Sequence, residues 1–216
     1  MGISQMLMKL AEGMATSCWI FGITLLFSLP LGMVIAFGRM SKKRIVQGIT
    51  KIYISIMRGT PLMLQLMVVY FGPYYLFGIK ISPFYRNIAV VIGFVLNYAA
   101  YFAEIYRSGI ESMPVGQYEA AEILGYSKSQ TFLHIILPQV IKRILPSVTN
   151  EVITLVKDTS LAFVIAVSEM FTIEKALASS QTSMVPYVAA GIFYYVFNFL
   201  VAWIMEKIEK HLSYYR

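Results

Sequence analysis

Long apolar runs without a charged side chain constrain this sequence more than any other feature. The first run covers residues 13–38, and three others cover 59–79, 87–103 and 176–205. A helix needs about 20 mostly apolar residues to cross the hydrocarbon core of a bilayer. The runs therefore predict an all-α integral membrane protein.

A further apolar segment near residues 144–167 carries Glu151, Lys157 and Asp158 and is counted as one more membrane helix. Residues 1–216 are predicted to form a single transmembrane domain with a connecting loop at about 112–140. The segment before the first run has apolar residues at i, i+3 and i+4 spacing, which predicts an amphipathic helix lying on the membrane surface. The five predicted membrane helices cover about 14–38, 53–78, 86–108, 144–168 and 182–206.

The basic residues between the apolar runs predict the orientation of the chain. Cytoplasmic loops of membrane proteins carry an excess of Lys and Arg. One side has only Lys9, Lys80, Arg86 and Lys175. The N-terminus is therefore predicted to lie outside and the C-terminus in the cytoplasm. The basic residues of the other side are Arg39, Lys42, Lys43, Arg44, Lys51, Arg107, Lys128, Lys142, Arg143, Lys207, Lys210 and Arg216.

Composition argues against several classes of function. The net charge of +7 could indicate a nucleic-acid partner, but no basic helix with interleaved aromatic residues is present, so none is expected. Cys18 is the single cysteine, and His134 and His211 lie far apart in sequence. We therefore expect no intrachain disulfide, no metal site and no catalytic residues.

The loop at about 112–140 predicts two short helices that meet at a glycine. Gly125 occupies a position where a helix would end in a left-handed residue. Ser127 then begins the second helix, with Gln130 three residues later as in a capping box. Pro138 is predicted to end that helix.

The same loop resembles the EAA motif of ABC importer permeases. Glu119-Ala120-Ala121 is followed after three residues by Gly125, and after nine more by Ile135, one residue and Leu137-Pro138. Other segments resemble the subfamily that carries polar amino acids such as histidine, arginine, glutamine or cystine. Those segments are residues 58–62 with Gln65, residues 97–110 and residues 150–161.

The resemblance implies a type I ABC importer permease fold in a bacterial cytoplasmic membrane. It implies ATP-driven import of a polar amino acid by alternating access, with two ATPase subunits, a second permease, identical or sister, and an extracytoplasmic binding protein. The chain has no phosphate-binding loop, so it is not expected to be an enzyme. ATP and magnesium are expected on the ATPase, with no cofactor in this chain. The ATPase would dock on the loop at Glu119, Ala120, Ala121, Gly125, Ile135, Leu137 and Pro138.

Polar residues inside the predicted helices are candidates for a solute pathway, because a charged group at bilayer depth faces protein or water. Arg58, Glu104 and Lys157 are instead candidates for structural ion pairs, including an Arg58–Glu104 pair. The pathway candidates are Gln65, Asn97, Tyr101, Asn150, Glu151, Thr154 and Asp158.

Two other classes of function compete with the importer. An ion-coupled secondary transporter or channel for small polar solutes would not need ATP and gives no reason for the spacing around Gly125. A membrane-embedded enzyme would need a reactive constellation at bilayer depth, and none is found in the sequence. Basic amino acids, glutamine and cystine all remain open as the solute.

Overall fold

The computed structural model describes residues 2–212, and this part of the chain consists of helices and short connections without a strand. A π-helical stretch, Thr131–Ile136, precedes α7, and a 3₁₀ helix, Thr159–Ile165, follows it. The α-helices are α1 (Ile3–Arg39), α2 (Arg44–Gly59), α3 (Leu62–Phe77), α4 (Pro83–Glu111), α5 (Val115–Ile123), α6 (Lys128–Gln130), α7 (Leu137–Asp158), α8 (Met170–Gln181) and α9 (Val185–Leu212).

The first helix begins at Ile3, well before the predicted start near residue 14. The expected surface helix is therefore the first part of α1. Met6 and Leu10 are buried in a cluster with Met170 and Leu177 of α8. Ile3 and Leu7 of the same pattern are exposed, so only part of the predicted apolar face packs against protein.

Helices α1 and α4 cross closely at the centre of the bundle. An ideal Cβ on Gly32 would lie 2.9 Å from the Phe102 Cβ and 3.1 Å from the Ala99 carbonyl oxygen. Small residues allow membrane helices to approach each other in this way. The crossing therefore depends on the absence of a side chain at Gly32.

A sharp break separates α2 from α3, whose axes are bent by 110°. Pro61 lacks the N–H that the Met57 carbonyl would otherwise receive. The Gln65 Nε2 donates to that carbonyl at 2.9 Å, and the Asn97 Nδ2 donates to it at 3.2 Å. Irregular backbone survives at membrane depth only when its polar groups are satisfied by protein or water. The helix predicted at 53–78 is therefore two helices joined by a capped break.

The prediction that Pro138 ends a helix is wrong, because residues 128–158 form one continuous helical stretch. The Leu137 N–H donates to the Phe132 carbonyl, five residues back. The hydrogen-bond register has thus changed before the proline, whose missing N–H would otherwise interrupt the ladder. The α-helix then ends at Asp158, and the 3₁₀ helix leads to Ala166, which has a left-handed φ of 56°.

Three of the described helices are long and apolar enough to cross a membrane, namely α1, α4 and α9. The bent pair α2–α3 makes a fourth if it is counted as one span. Helix α7, which carries several charged residues, is not among the helices apolar enough to cross a membrane. Of the predicted cytoplasmic basic residues, Arg216 lies outside the described part of the chain.

Candidate functional site

The glycine corner between α5 and α6 is built by local backbone hydrogen bonds. Gly125 has a φ of 79°, as its position in the sequence predicts. The Tyr126 N–H donates to the Ala121 carbonyl, and the Gly125 N–H donates to the Glu122 carbonyl, both at 3.0 Å. These two bonds define a Schellman motif, which ends a helix on a left-handed residue. The turn at Gly125 therefore determines the angle between α5 and α6.

The second arm of the corner begins at the predicted capping box. The Ser127 hydroxyl accepts from the Gln130 N–H, and the Gln130 side chain accepts from the Ser127 N–H. The side-chain amides of Gln117 and Gln139 also exchange hydrogen bonds of 2.9 and 3.0 Å. This pair joins α5 to the start of α7, so the two sides of the glycine corner are connected by side chains as well as by the turn at Gly125.

The surface of the corner differs in part from the expected one. Glu119 and Ala120 are exposed, but Ala121 is only 1% exposed and belongs to the support of the corner. Ile135 and Leu137 are half-buried, and Pro138 is exposed. The tip instead presents apolar side chains that sequence reasoning did not single out. These exposed side chains are Val115, Ile123, Leu124, Tyr126 and Leu133.

A polar cleft of about 410 Å³ lies between the end of α2, the C-terminal part of α4 and the middle part of α7. The Arg58 guanidinium lies over the Tyr101 ring, 5.3 Å from its centroid. Glu151 is half-buried in the wall of the cleft. Side chains with both signs of charge thus face one cavity. The charged and aromatic residues of its wall are Arg58, Tyr101, Glu104, Arg143 and Glu151.

The expected Arg58–Glu104 ion pair is not formed. Glu104 pairs instead with Arg107, one turn further along α4, and Arg107 also pairs with Glu111. Residues three and four apart on a helix are neighbours, so these partners are available within α4 itself. Arg58 consequently keeps its charge directed toward the cleft and the Tyr101 ring.

Glu151 has no partner of the kind that would make it purely structural. Among residues 2–212, it forms no ion pair with Arg58 or Lys157. A carboxylate at bilayer depth needs water, a donor or a cation to remain charged. The cleft is the place where either water or a solute can meet this requirement.

The other pathway candidates are divided among separate sites. Gln65 and Asn97 hydrogen-bond to each other at 2.9 Å and cap the break after α2, so they do not line the cleft. Asp158 accepts a hydrogen bond of 2.8 Å from the Tyr98 hydroxyl. Thr154 donates to the Asn150 carbonyl of its own helix. The Lys157 side chain lines a different cavity, near α8 and α9.

Comparison with known proteins gives consistent matches along nearly the whole chain. Residues 28–214 match the family described as "Binding-protein-dependent transport system inner membrane component". The L-cystine transport system permease protein TcyL of Bacillus subtilis (strain 168) is 38% identical over 218 residues, covering 98% of this chain and 90% of that protein. The arginine transport system permease protein ArtQ of the same organism is 37% identical over 203 residues, covering 94% and 91%.

Solved structures give the same result for the fold. The crystal structure of an amino acid ABC transporter with histidines matches with a TM-score of 0.84 at 28% identity, over 94% of each chain. The MetNI methionine ABC transporter, in an inward facing conformation, matches with a TM-score of 0.78 over 99% of this chain and 100% of that chain. At 15% identity, the second match supports the fold alone.

Proposed function

The chain belongs to the family of binding-protein-dependent transport system inner membrane components, and from this premise we propose that it imports a polar amino acid. It is the membrane permease subunit of an ABC importer and is not itself an enzyme. ATP hydrolysis takes place on a separate subunit, and alternating access of the permease is driven from there. The relatives named for cystine and arginine support an amino acid as the solute.

The glycine corner is the observation that carries this proposal. Its tip exposes Ile123 and Leu124, which are 86% and 74% accessible. Exposed apolar patches on a rigid support are typical of protein–protein contacts. The corner therefore suits docking in a groove of the ATPase, with Glu119 as a charged contact beside the apolar tip.

The polar cleft supports a second permease as partner. Arg58, Glu104 and Glu151 line a cleft that one chain leaves open. Charged groups within membrane helices face protein or water rather than lipid. A second permease, identical or sister, would cover the cleft and enclose a water-filled pathway. The complete importer would then hold two permeases, two ATPases and an extracytoplasmic binding protein, in a bacterial cytoplasmic membrane.

Uptake by the reconstituted complex tests the function. The permease, its ATPase and its binding protein are placed in proteoliposomes with labelled L-arginine, L-glutamine or L-cystine. We expect uptake of at least one of these only when both ATP and the binding protein are supplied. Uptake driven by an ion gradient without ATP would favour a secondary transporter or channel instead.

A topology of five membrane helices with the N-terminus outside can be tested separately. Cys18 is replaced by serine, and single cysteines are placed at Lys43, Lys80, Lys128 and Lys175. Positions 80 and 175 should react with a membrane-impermeant thiol reagent in intact cells, because they lie on the side poor in basic residues. Positions 43 and 128 should react only after the membrane is opened. Labelling of the latter two in intact cells would contradict this orientation.

Glu151 is proposed to contact the solute in the cleft, with its carboxylate facing the solute's ammonium group. Replacing Glu151 by Gln keeps the shape and removes the charge. Since hydrogen bonds to charged groups contribute about 1.5–3 kcal/mol, we expect uptake at low solute concentration to fall about tenfold or more. The loss should be largest for a cationic solute, with basal ATPase activity and assembly unchanged.

The matched control for Glu151→Gln is Glu206→Gln, which removes an exposed carboxylate of α9 that pairs with Lys210 of its own helix. An exposed pair of this kind contributes little to stability. The control should transport normally. Unchanged uptake by the Glu151 variant, or a loss explained by poor assembly, would remove Glu151 from the site.

A further inference from the structure

A second cavity lies between the end of α7 and helices α8 and α9, and we refer to it as the α8 pocket. Its volume is about 270 Å³, slightly smaller than the sites that hold drug-sized ligands. Three aromatic rings, from Phe171, Tyr187 and Tyr194, form part of its wall. The remaining wall includes Lys157 and Glu174, so the pocket combines apolar faces with one charge of each sign.

The two charged groups of the α8 pocket do not neutralise each other. Glu174 is only 6% exposed, yet among residues 2–212 its carboxylate forms no ion pair and accepts no hydrogen bond. The Lys157 ammonium lines the same pocket without an ion pair to Glu174. A buried carboxylate without a partner is unfavourable. The pocket therefore lacks a cation beside Glu174, and the Lys157 side chain, which is exposed and interacts electrostatically with Asp158, forms no ion pair within residues 2–212.

The backbone around Glu174 is held rigidly by another buried carboxylate. Glu169 accepts hydrogen bonds of 2.7 Å from the N–H groups of Phe171 and Thr172, and so caps the start of α8. The Tyr194 hydroxyl donates to the same carboxylate at 3.3 Å. Glu169 is thus fully used in fixing α8 against α9. Glu174, five residues further along the chain, is the carboxylate left to face the pocket.

We propose that the α8 pocket binds the α-ammonium and α-carboxylate groups of a free amino acid, as a second solute site in this chain. Lys157 holds the carboxylate, Glu174 holds the ammonium, and the aromatic rings contact the side chain. An inorganic cation would satisfy Glu174 alone and would be repelled by Lys157. The inference rests on the proposed function, because the solute belongs to the same class.

The α8 pocket is separate from the polar cleft. Glu151 and Lys157 are six residues apart on α7, which places them roughly 120° apart around the helix axis at 3.6 residues per turn. The pocket also lies at the end of the bundle where α9 begins, opposite the glycine corner. The α8 pocket and the polar cleft are therefore two separate places in the fold at which a solute would bind.

Cysteine protection tests the pocket directly. Gly191 lines it, and a Cβ there would meet nothing within 4 Å, so a single cysteine at this position in a Cys18→Ser chain is expected to be tolerated. The permease with its ATPase is placed in nanodiscs without the binding protein. The probes are L-arginine, L-glutamine and L-cystathionine, which resembles cystine but cannot exchange disulfides. At least one should slow the reaction of position 191 with a small methanethiosulfonate about tenfold.

The charged residues are then tested one at a time. Protection should be lost in Lys157→Met and in Glu174→Gln, and it should be kept in the control Glu206→Gln. It should also be kept in Glu151→Gln, which alters only the cleft. The protecting compound without its α-carboxylate should fail to protect, a distinction that a merely structural role of Lys157 would not produce.

Several results would overturn the inference. Absence of any reaction at position 191 would mean that the pocket is closed to water. Lack of protection in a preparation that still transports the amino acid would reject the α8 pocket and leave the proposed function intact. Absence of uptake by the wild-type complex would instead reject the proposed function. If one of the two charge variants does not fold, the other variant and the decarboxylated compound still decide the outcome.

Discussion

Replacing Gly125 by valine is expected to reduce ATP-driven uptake by at least tenfold while the chain still inserts into the membrane. Gly125 has a φ of 79°, and a Cβ at this position would meet nothing within 4 Å. The effect would therefore come from backbone conformation and not from a clash. A left-handed conformation costs an ordinary residue about 1–2 kcal/mol, and a β-branched side chain is disfavoured further. Relaxation of φ would break the Schellman bonds and change the angle between α5 and α6.

The matched control for Gly125→Val is Gly116→Val in the same exposed loop. Gly116 has no left-handed φ, and its added side chain would also meet open space. Both variants are compared for membrane yield, retention of the ATPase on purification, and uptake. Gly125→Asn should lie between valine and wild type, because asparagine tolerates the left-handed region. Full uptake by Gly125→Val would reject the glycine corner as the coupling element.

Replacing Gly32 by leucine is expected to have the largest effect on the fold. The added Cβ alone would lie 2.9 Å from the Phe102 Cβ, and neither this atom nor the nearby Ala99 carbonyl can move aside as a flexible side chain would. Overpacking of a well-packed core typically costs about 1–3 kcal/mol. We expect a lower thermal midpoint and a lower yield of folded permease in detergent.

Gly22→Leu on the same helix is the control for Gly32→Leu, since a Cβ at Gly22 would meet nothing within 4 Å. Both variants are followed by thermal unfolding of the purified permease at equal detergent concentration. The Gly22 variant should unfold near the wild-type temperature. Equal midpoints for the Gly32 variant and wild type would show that α1 and α4 can separate at their crossing without loss of stability.

Sequence reasoning worked best where the determining contacts are local. The left-handed Gly125 and the capping box of Ser127 and Gln130 depend on residues within one or two turns, and the structure contains both. The helix end at Pro138 was wrong because the π-helical stretch before it changes the register. No residue type predicts a π-helical stretch, so the presence of Pro138 alone did not indicate that the helix continues.

Contacts between distant segments account for most of what the sequence did not reveal. Part of the cap on the Met57 carbonyl comes from Asn97, forty residues away, which was predicted to be a pathway residue. Helix α8 was not predicted, because its sequence lacks a long apolar run. The local sequence signal for the start of α8 was Glu169, whose side chain accepts a hydrogen bond from the N–H of Thr172, three residues later. The burial of Glu169, however, depends on packing against α9. Arg58 and Glu104 were predicted to form a structural ion pair, but they line the polar cleft without pairing with each other.

The break between α2 and α3 has a consequence for the order in which the chain is made. Synthesis proceeds from the N-terminus, so the Met57 carbonyl emerges long before α4 exists. Gln65 is only eight residues from Met57 and can cap the carbonyl as soon as α3 has formed. Asn97 adds its hydrogen bond after a further 32 residues have been added. In the nascent chain the Met57 carbonyl can therefore accept a hydrogen bond from Gln65 first. Once α4 has formed, Asn97 donates a second hydrogen bond to the same carbonyl.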